Sequence, residues 1–556
     1  MVAEQFAITE VSGSEARKRE IGYSYSGWLV PTSTVQEANT DASWSATSRS
    51  LTGQWTTPRD NFRCGGSLEL RTQKPAIVLD KKKEAMNDEL ARESLPKVGM
   101  SGDDKTGQQD QEVSYDAVFG DINEDGPNYR AVGRLGTTAL MLKTNLGLGV
   151  LSIPAIFDTL GMVPGVICII ITATITGWSQ YMIGVFKRKH PEVYGVEDVG
   201  GMLFGTAARE IVGIAFFVFL IFVSASGMLS VSIALNALST HATCTAVFVA
   251  VAAIIAFCFA SIQTLGRITW LAWIGVAGII TAILTLTIAV GVQGKPEDAP
   301  IQSGPYKSDF KLFGSPSFTD AISACSSLVF AFAGTPGYFN IISEMRDPRG
   351  YSRSVFISQG FITAVYIAIG IVVYYFCGSY VASPALGSAG DTMKKVCYGL
   401  ALPGLLVSTI LISHLPSKFL FLRLLRGSKH LTSNSKTHWA VWLSCTATVI
   451  ICAYVIASAI PIFGGLISLI GALFGTFFNF QPFGLMWLYD NWSLGKTQRS
   501  SRWIFMASWS IFVIVIGSFL MVAGTYGSIV AIIDSYHAAG GSKPFTCADN
   551  SNSVRD

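Results

Sequence analysis

The chain has 556 residues, half of them hydrophobic and only 14% charged, with a formal net charge of +3 and a mean hydropathy of +0.44. Soluble chains carry about a quarter of their residues as charges, so a string of soluble domains is excluded. The small net charge also lacks the basic footprint of a nucleic-acid partner, and the composition is that of a polytopic protein embedded in a lipid bilayer.

Residues 1–130 are rich in Ser, Thr, Asp, Glu, Lys and Gly. Such a stretch buries too little apolar surface to offset its ordering entropy, so it reads as a disordered cytoplasmic tail. Lys81-Lys82-Lys83 and the acidic stretch Asp121 to Asp125 are its candidate recognition elements, with trafficking or ubiquitination machinery as candidate partners. No apolar stretch follows a basic start, so no cleaved signal peptide is expected.

From Arg134 the apolar stretches follow one another at 134–160, 162–186, 211–236, 243–262, 267–292, 318–344, 354–378, 396–415, 438–459, 461–489 and 502–530. Each approaches the ~20 residues needed to cross a bilayer, which predicts an all-α membrane domain of 11 transmembrane helices over 131–534. Residues 535–556 form a tail beyond it. Lys and Arg crowd the loops on the N-terminal side, as in Lys187-Arg188-Lys189, Arg346, Arg349 and Arg353, and Lys418, Arg423 and Arg426. That bias places the N-terminus in the cytoplasm and, with an odd number of spans, the C-terminus on the other side. The sequon Asn491-Trp492-Ser493 then falls in a cytoplasmic loop and stays unmodified. None of the ten cysteines shows metal-ligand spacing. Cys377 and Cys397 flank one outer loop and are the candidate disulfide pair.

Two spans are interrupted. The first contains Lys143-Thr144-Asn145-Leu146-Gly147-Leu148-Gly149-Val150-Leu151-Ser152-Ile153-Pro154, with a lysine, two glycines and a proline inside an apolar run. The sixth contains Phe330-Ala331-Phe332-Ala333-Gly334-Thr335-Pro336-Gly337-Tyr338-Phe339-Asn340. A helix breaks within lipid only where the break lines a cavity. Breaks at matching positions of two halves point to a transporter site at mid-membrane, built from two inverted five-helix repeats, spans 1–5 and 6–10 (5+5).

Leu142 to Pro154 resembles the first-helix signature of the amino acid/auxin permease family, within the amino acid–polyamine–organocation superfamily. Phe330 to Gly334, followed by Glu344-Met345-Arg346-Asp347-Pro348, is similar to its sixth-helix signature. Pro164-Gly165, Gly177-Trp178 and the loop Tyr194 to Gly205 resemble the fungal neutral amino acid permease branch. The resemblance spans roughly residues 128–530, and the first hundred or so residues depart from it. It implies a bacterial leucine transporter-like fold with broken helices 1 and 6. It also implies a secondary active transporter that imports neutral amino acids, aliphatic and aromatic, with spans 1, 2, 6 and 7 rocking against 3, 4, 8 and 9. The implied location is the plasma membrane.

A zwitterionic amino acid needs partners for its carboxylate, its ammonium and its side chain. The N–H groups of Leu148, Gly149 and Val150, after the unwound Asn145 to Gly147, offer a helix N-terminus to the carboxylate. Carbonyls from Phe330 to Ala333, beside Gly334 and Thr335, face the ammonium. Phe330, Phe332 and Tyr338 are candidates for the side-chain pocket or a gate. Each has helix packing as its plainer role. With no carboxylate to pair a substrate side chain, neutral L-amino acids are expected.

Lys143 lies nine residues past Arg134, about 13 Å along a helix and so near mid-depth. Intramembrane charges are costly and mark function. It stands where related transporters hold sodium, and a lysine there resembles proton-coupled members of the family. The expectation is proton symport with no cofactor, the proton rather than sodium being the coupling ion. Ser408 and Thr409 are candidate oxygen partners for Lys143, and His414 a candidate proton relay. Glu344 with Arg346 or Arg353 is the candidate inner gate, while Asp320 reads as a helix cap or a solvated charge and Asp158 as a solvated end charge. Alternatives are a vacuolar exporter of the same fold and an amino acid sensor with little flux. An enzyme is disfavoured, because no Ser/His/Asp set, P-loop or metal cluster is visible.

Overall fold

The computed structural model describes residues 114–116, 120–122, 132–262, 269–296, 299–300, 306–425, 428, 430, 435–537, 543–551 and 553. Two short strands, β1 (Ser114–Asp116) and β2 (Gly120–Ile122), pair antiparallel with Tyr115 opposite Asp121. This hairpin stands inside the stretch expected to lack structure. The other residues before Val132, including both candidate recognition elements except part of the acidic one, lie outside the described residues.

The body is helical: α1 (Arg134–Asn145), α2 (Ile153–Leu160), α3 (Met162–Lys189), α4 (Val196–Phe204), α5 (Thr206–Ser239), α6 (Thr245–Ala260), α7 (Thr269–Val292) and α8 (Phe318–Ala331). There follow α9 (Tyr338–Ser343), α10 (Tyr351–Cys377), α11 (Asp391–Leu425), α12 (Lys436–Ala459), α13 (Phe463–Ile470), α14 (Thr476–Asn479), α15 (Gln481–Thr497) and α16 (Ser501–His537). Among the described residues nine helices are long and apolar enough to cross a membrane, ten with the bent pair α1–α2 counted as one. The eleventh expected span is α6, which at 16 residues is shorter than the ~20 that an upright crossing needs. Ile170, Ile214, Ile254, Ile288, Phe356 and Val522 are all exposed. Apolar surface on that scale is at home against acyl chains, not water.

Each interruption has a local cause. After α1 the chain passes through Gly147 and Gly149, makes one 3₁₀ turn (Gly149–Ser152) and restarts with Pro154 in the first turn of α2, bent by 40°. Ser317 caps α8 by accepting from the Asp320 N–H at 3.2 Å, and α8 stops short of Gly334, Pro336 and Gly337. The long tenth stretch passes through a π turn, Gly471–Gly475, where the absent Cβ of Gly471 makes room for the Ser326 carbonyl of α8.

Small residues let helices touch without a hydrophobic driving force in lipid. A Cβ on Gly404 of α11 would lie 2.8 Å from the Gly275 carbonyl of α7, and one on Gly278 would lie 3.0 Å from the Leu400 carbonyl. These two helices therefore cross backbone to backbone.

One disulfide joins Cys244, at the start of α6, to Cys547 beyond α16. Cys377 and Cys397 are both free and buried in the apolar core, so the candidate pair is corrected. Flanking one loop does not aim two Cβ vectors at each other.

Candidate functional site

The two breaks are stitched together at the centre of the bundle. Asn145 Nδ2 donates to the Tyr338 hydroxyl at 3.0 Å, and Asn145 Oδ1 accepts from the Gly334 N–H at 3.2 Å. The Tyr366 hydroxyl of α10 reaches the Asn145 carbonyl at 2.8 Å and the Ala331 carbonyl at 2.7 Å. These carbonyls lost their helical partners when α1 and α8 ended; a buried tyrosine bridges the two, and the Asn145 carbonyl also accepts from the Gly147 N–H at 2.9 Å. Gly149 is required here: a Cβ would collide with the backbone of Ala331. The 3₁₀ turn after it leaves the N–H groups of Gly149 and Val150 without acceptors inside the helix.

Beside the breaks lies a cavity of about 60 Å³, lined by Lys143, Thr144, Asn145, Gly147, Leu148, Gly149, Phe219, Val223, Phe330, Ala333, Ser408 and Ile412. That is room for a few waters and not for an amino acid, so substrate entry requires the helices to part. No carboxylate is among the lining residues.

Lys143 is 6% exposed and points at α11. Its ammonium donates to the Gly404 carbonyl at 3.2 Å and to the Ser408 hydroxyl at 2.5 Å. Ser408 in turn donates to the same carbonyl at 2.9 Å. Gly275 makes the space: a Cβ there would stand 2.9 Å from Lys143 Cε and 3.2 Å from Nζ. Lys143 is thus held by α7 and α11 together.

The other candidates separate by direction. Of the three aromatics, Phe330 lines the cavity. Phe332 is fully buried and packs edge-on to Tyr366 with centroids 5.0 Å apart, and Tyr338 is fully buried within the stitch. Thr335 is buried away from the cavity, with Gln180 Nε2 at 3.5 Å. Val150 is fully buried behind the turn. Thr409, next to Ser408 but turned about 100° on the helix, donates to the Leu405 carbonyl and faces Gly227 of α5. His414 faces α6 and α12: its Nδ1 lies 3.1 Å from the Ala260 carbonyl and its ring stands edge-on to Trp442 at 5.3 Å. The structure brings Lys143 and Ser408 together and leaves Thr409 and His414 apart from them.

At the N-terminal end of α1 the bundle is closed. Val132 bridges to Met345, with backbone bonds to Glu344 and Arg346, and Arg134 pairs with Asp347 at 2.7 Å. Glu344 forms no ion pair with Arg346 or Arg353 among the described residues; Lys418 is the charge that faces it. The contact at this end is made by Asp347, three residues on, because the chain turns out of α9 and presents that side chain to Arg134. On the opposite face a larger cavity, about 500 Å³, opens between α2, α8, α13 and α16.

Residues 133–530, most of the chain, match the family described as "Transmembrane amino acid transporter protein". The chain belongs to that family. It is 32% identical over 435 residues to a "Transmembrane transporter" of Gibberella moniliformis, covering 78% of this chain and 91% of the relative. It is also 32% identical over 435 residues to an "N amino acid transport system protein" of Neurospora crassa, covering 77% of this chain and 91% of the relative. Among solved structures it is similar to a Na+-coupled sialic acid symporter in a substrate-bound outward-open state, at 15% identity and a TM-score of 0.44, covering 72% and 91% of the two chains.

In this transporter four residues at the centre escape a reading of the sequence. Phe219 and Val223 of α5 and Ile412 of α11 supply the apolar wall of the cavity, and Gly275 of α7 seats Lys143. Each sits in an ordinary apolar span with no break or charge beside it, so no local signal marks it.

Proposed function

We propose that this amino acid transporter is a secondary active importer of neutral amino acids, aliphatic and aromatic, driven by proton symport at the plasma membrane. The N-terminus is cytoplasmic, and α6 counts as the fourth of eleven spans in a 5+5 inverted-repeat core. The substrate carboxylate sits on the N–H groups of Gly149 and Val150, where the helix dipole favours an anion. The ammonium faces carbonyls at the end of α8, and the side chain meets Phe219, Val223, Phe330 and Ile412. The absence of a carboxylate from the cavity lining supports the preference for neutral side chains.

One observation carries the coupling assignment: the Lys143 ammonium occupies the Gly404 and Ser408 oxygens between α1 and α11. A sodium ion would need such oxygens for itself. A protonated Lys143 ties α1 to α11, and loss of its proton weakens that tie, linking proton release to movement of the broken helix. The closed N-terminal end and the open cavity opposite support an outward-facing state that alternates with an inward-facing one.

The test is uptake of labelled leucine and phenylalanine into vesicles reconstituted with the full chain, under an imposed pH gradient without sodium. Uptake that follows the gradient and collapses in Lys143→Asn supports symport at this site. Uptake that ignores the gradient, or needs sodium, overturns it. A fluorescent fusion distinguishes the plasma membrane from the vacuole.

A further inference from the structure

The last span, α16, lies directly on the second broken helix. A Cβ on Gly524 would collide with the Ser326 hydroxyl of α8, and one on Gly527 would stand 2.9 Å from the Thr319 carbonyl. The hydroxyls of Ser528, Ser468 and Ser323 run from α16 through α13 to α8, at 2.5 and 2.7 Å. Contacts this close, with no side chain between the backbones, couple the middle of α16 to α8.

A different set of helices holds the far end of α16. In its last turn the Tyr536 hydroxyl donates to the Ala459 carbonyl, at the end of α12, at 2.9 Å. Beyond it, residues 543–551 reach three neighbouring helices. The Phe545 N–H donates to the Ser458 carbonyl of α12 at 2.8 Å. Thr245 of α6 donates to the Ala548 carbonyl at 2.6 Å, and Asn236 of α5 donates to Asn550 Oδ1 at 2.7 Å. Asp549 shapes the segment by accepting from the N–H groups of Ser551 and Ser553 at 2.8 and 2.6 Å. The Cys244–Cys547 bond makes the attachment covalent.

One helix is thus fastened at its middle to a broken helix and at its end to α5, α6 and α12. Closely packed helices slide past one another by small amounts only, so a swing of α8 away from those three helices pulls on the attachment. The larger cavity lies where that pull acts. Ser327 of α8 lines it, with Asp158 and Lys311, and α16 contributes Ala531 and Ser535, whereas α5, α6 and α12 contribute nothing to its lining. We propose that residues 543–551 are a strap that limits how far α8 and α16 swing as this cavity widens. The inference rests on the alternating-access reading, in which α8 moves against α5, α6 and α12.

The test uses the full chain in lipid nanodiscs, carrying Ser327→Cys as a reporter, because Ser327 is only 8% exposed in the strapped state. A charged methanethiosulfonate reagent is applied to the intact protein and to protein treated with a soluble phosphine that is then removed. Peptide mass spectrometry reads the reporter apart from its neighbour Cys325 and confirms that Cys244 and Cys547 were released. Release should speed labelling of the reporter about fivefold, the low end of couplings between distant elements. Cys547→Ser, which breaks the bond without reductant, should do the same. The buried native thiols of Cys397 in α11 and Cys445 in α12 should stay unlabelled throughout. An unchanged or slower reporter overturns the strap. Labelling of Cys397 or Cys445 alongside the reporter also overturns it, since the bond would then only hold the fold together. Faster labelling of the reporter alone, in a protein that takes up no leucine, overturns the import reading and leaves the strap standing.

Discussion

The ammonium of Lys143 donates to the Ser408 hydroxyl at 2.5 Å, tying the first broken helix to α11 in the middle of the bundle. The contact exists because Gly275 of α7 leaves the lysine side chain a place to lie.

Gly275→Ala therefore pushes a methyl group onto Lys143 Cε. Overpacking of that kind costs about 1–3 kcal/mol in a close-packed interior. The initial uptake rate should fall on the order of tenfold, while the size-exclusion profile of the purified protein stays that of wild type. Ser408→Ala should act in the same direction, and Ser408→Thr, which keeps a hydroxyl, should retain transport. A Gly275→Ala protein with normal uptake would mean that Lys143 is not held from this side.

Tyr366→Phe removes one hydroxyl and strands the Ala331 carbonyl, while the Asn145 carbonyl keeps only the Gly147 N–H at 2.9 Å. Leaving buried acceptors unmet costs about 1–3 kcal/mol. Thermal unfolding in detergent should show a midpoint lowered by several degrees. The loss should exceed that of Tyr375→Phe, since Tyr375 is an exposed residue on the same helix.

Glu197, in the short helix α4 outside the spans, offers a pH test. Burial raises its carboxyl above the usual carboxylate range, Asp198 adds to the rise, and Arg209 and Arg423 oppose it. Its Oε2 is buried without a partner. The folded state then holds the proton more tightly than the unfolded chain. Stability is fully present below the unfolded carboxylate range and is lost as pH rises through the raised folded value. Glu197→Gln should be the more stable protein at neutral pH and indistinguishable from wild type near pH 4. Thermal melts across that window decide it, and an equal or lower midpoint for the variant at pH 7 would count against a buried charge.

Alkylation before reduction should spare Cys244 and Cys547, with peptide mass spectrometry recovering the two as a linked pair. Cys258 and Cys452, free and exposed on the lipid-facing surface of α6 and α12, should take the reagent only once the protein is denatured, and then as unlinked peptides. A linked Cys377–Cys397 pair would contradict the arrangement described here.

Both broken helices are readable in the amino-acid order because glycine and proline act locally. Gly147, Gly149 and Pro154 stop and restart one helix, and Gly334, Pro336 and Gly337 do the same to the other. Lys143 is readable for a related reason: a charge in an apolar run is conspicuous wherever the run folds. Partners are another matter. Ser408 and Thr409 are neighbours with the same chemistry, yet one meets Lys143 and the other faces Gly227 of α5. Helical rotation relative to distant helices makes that choice. The same holds for the charge at the closed end, where Asp347 rather than Glu344 meets Arg134.

The sequence alone determined that the chain lies in a membrane, where its first and sixth spans break, that Lys143 is a charge inside an apolar run, and the family signature that runs through both breaks. These follow from hydropathy and backbone chemistry within one or two turns. Only the tertiary structure decided that Tyr366 satisfies both breaks, that Gly275 seats Lys143, that Cys244 pairs with Cys547, and that a second cavity holds Asp158, Lys311 and Ser327 together. Each of these joins residues far apart in the chain. The relative rotation and crossing of packed helices sets such contacts, and no local pattern encodes that geometry.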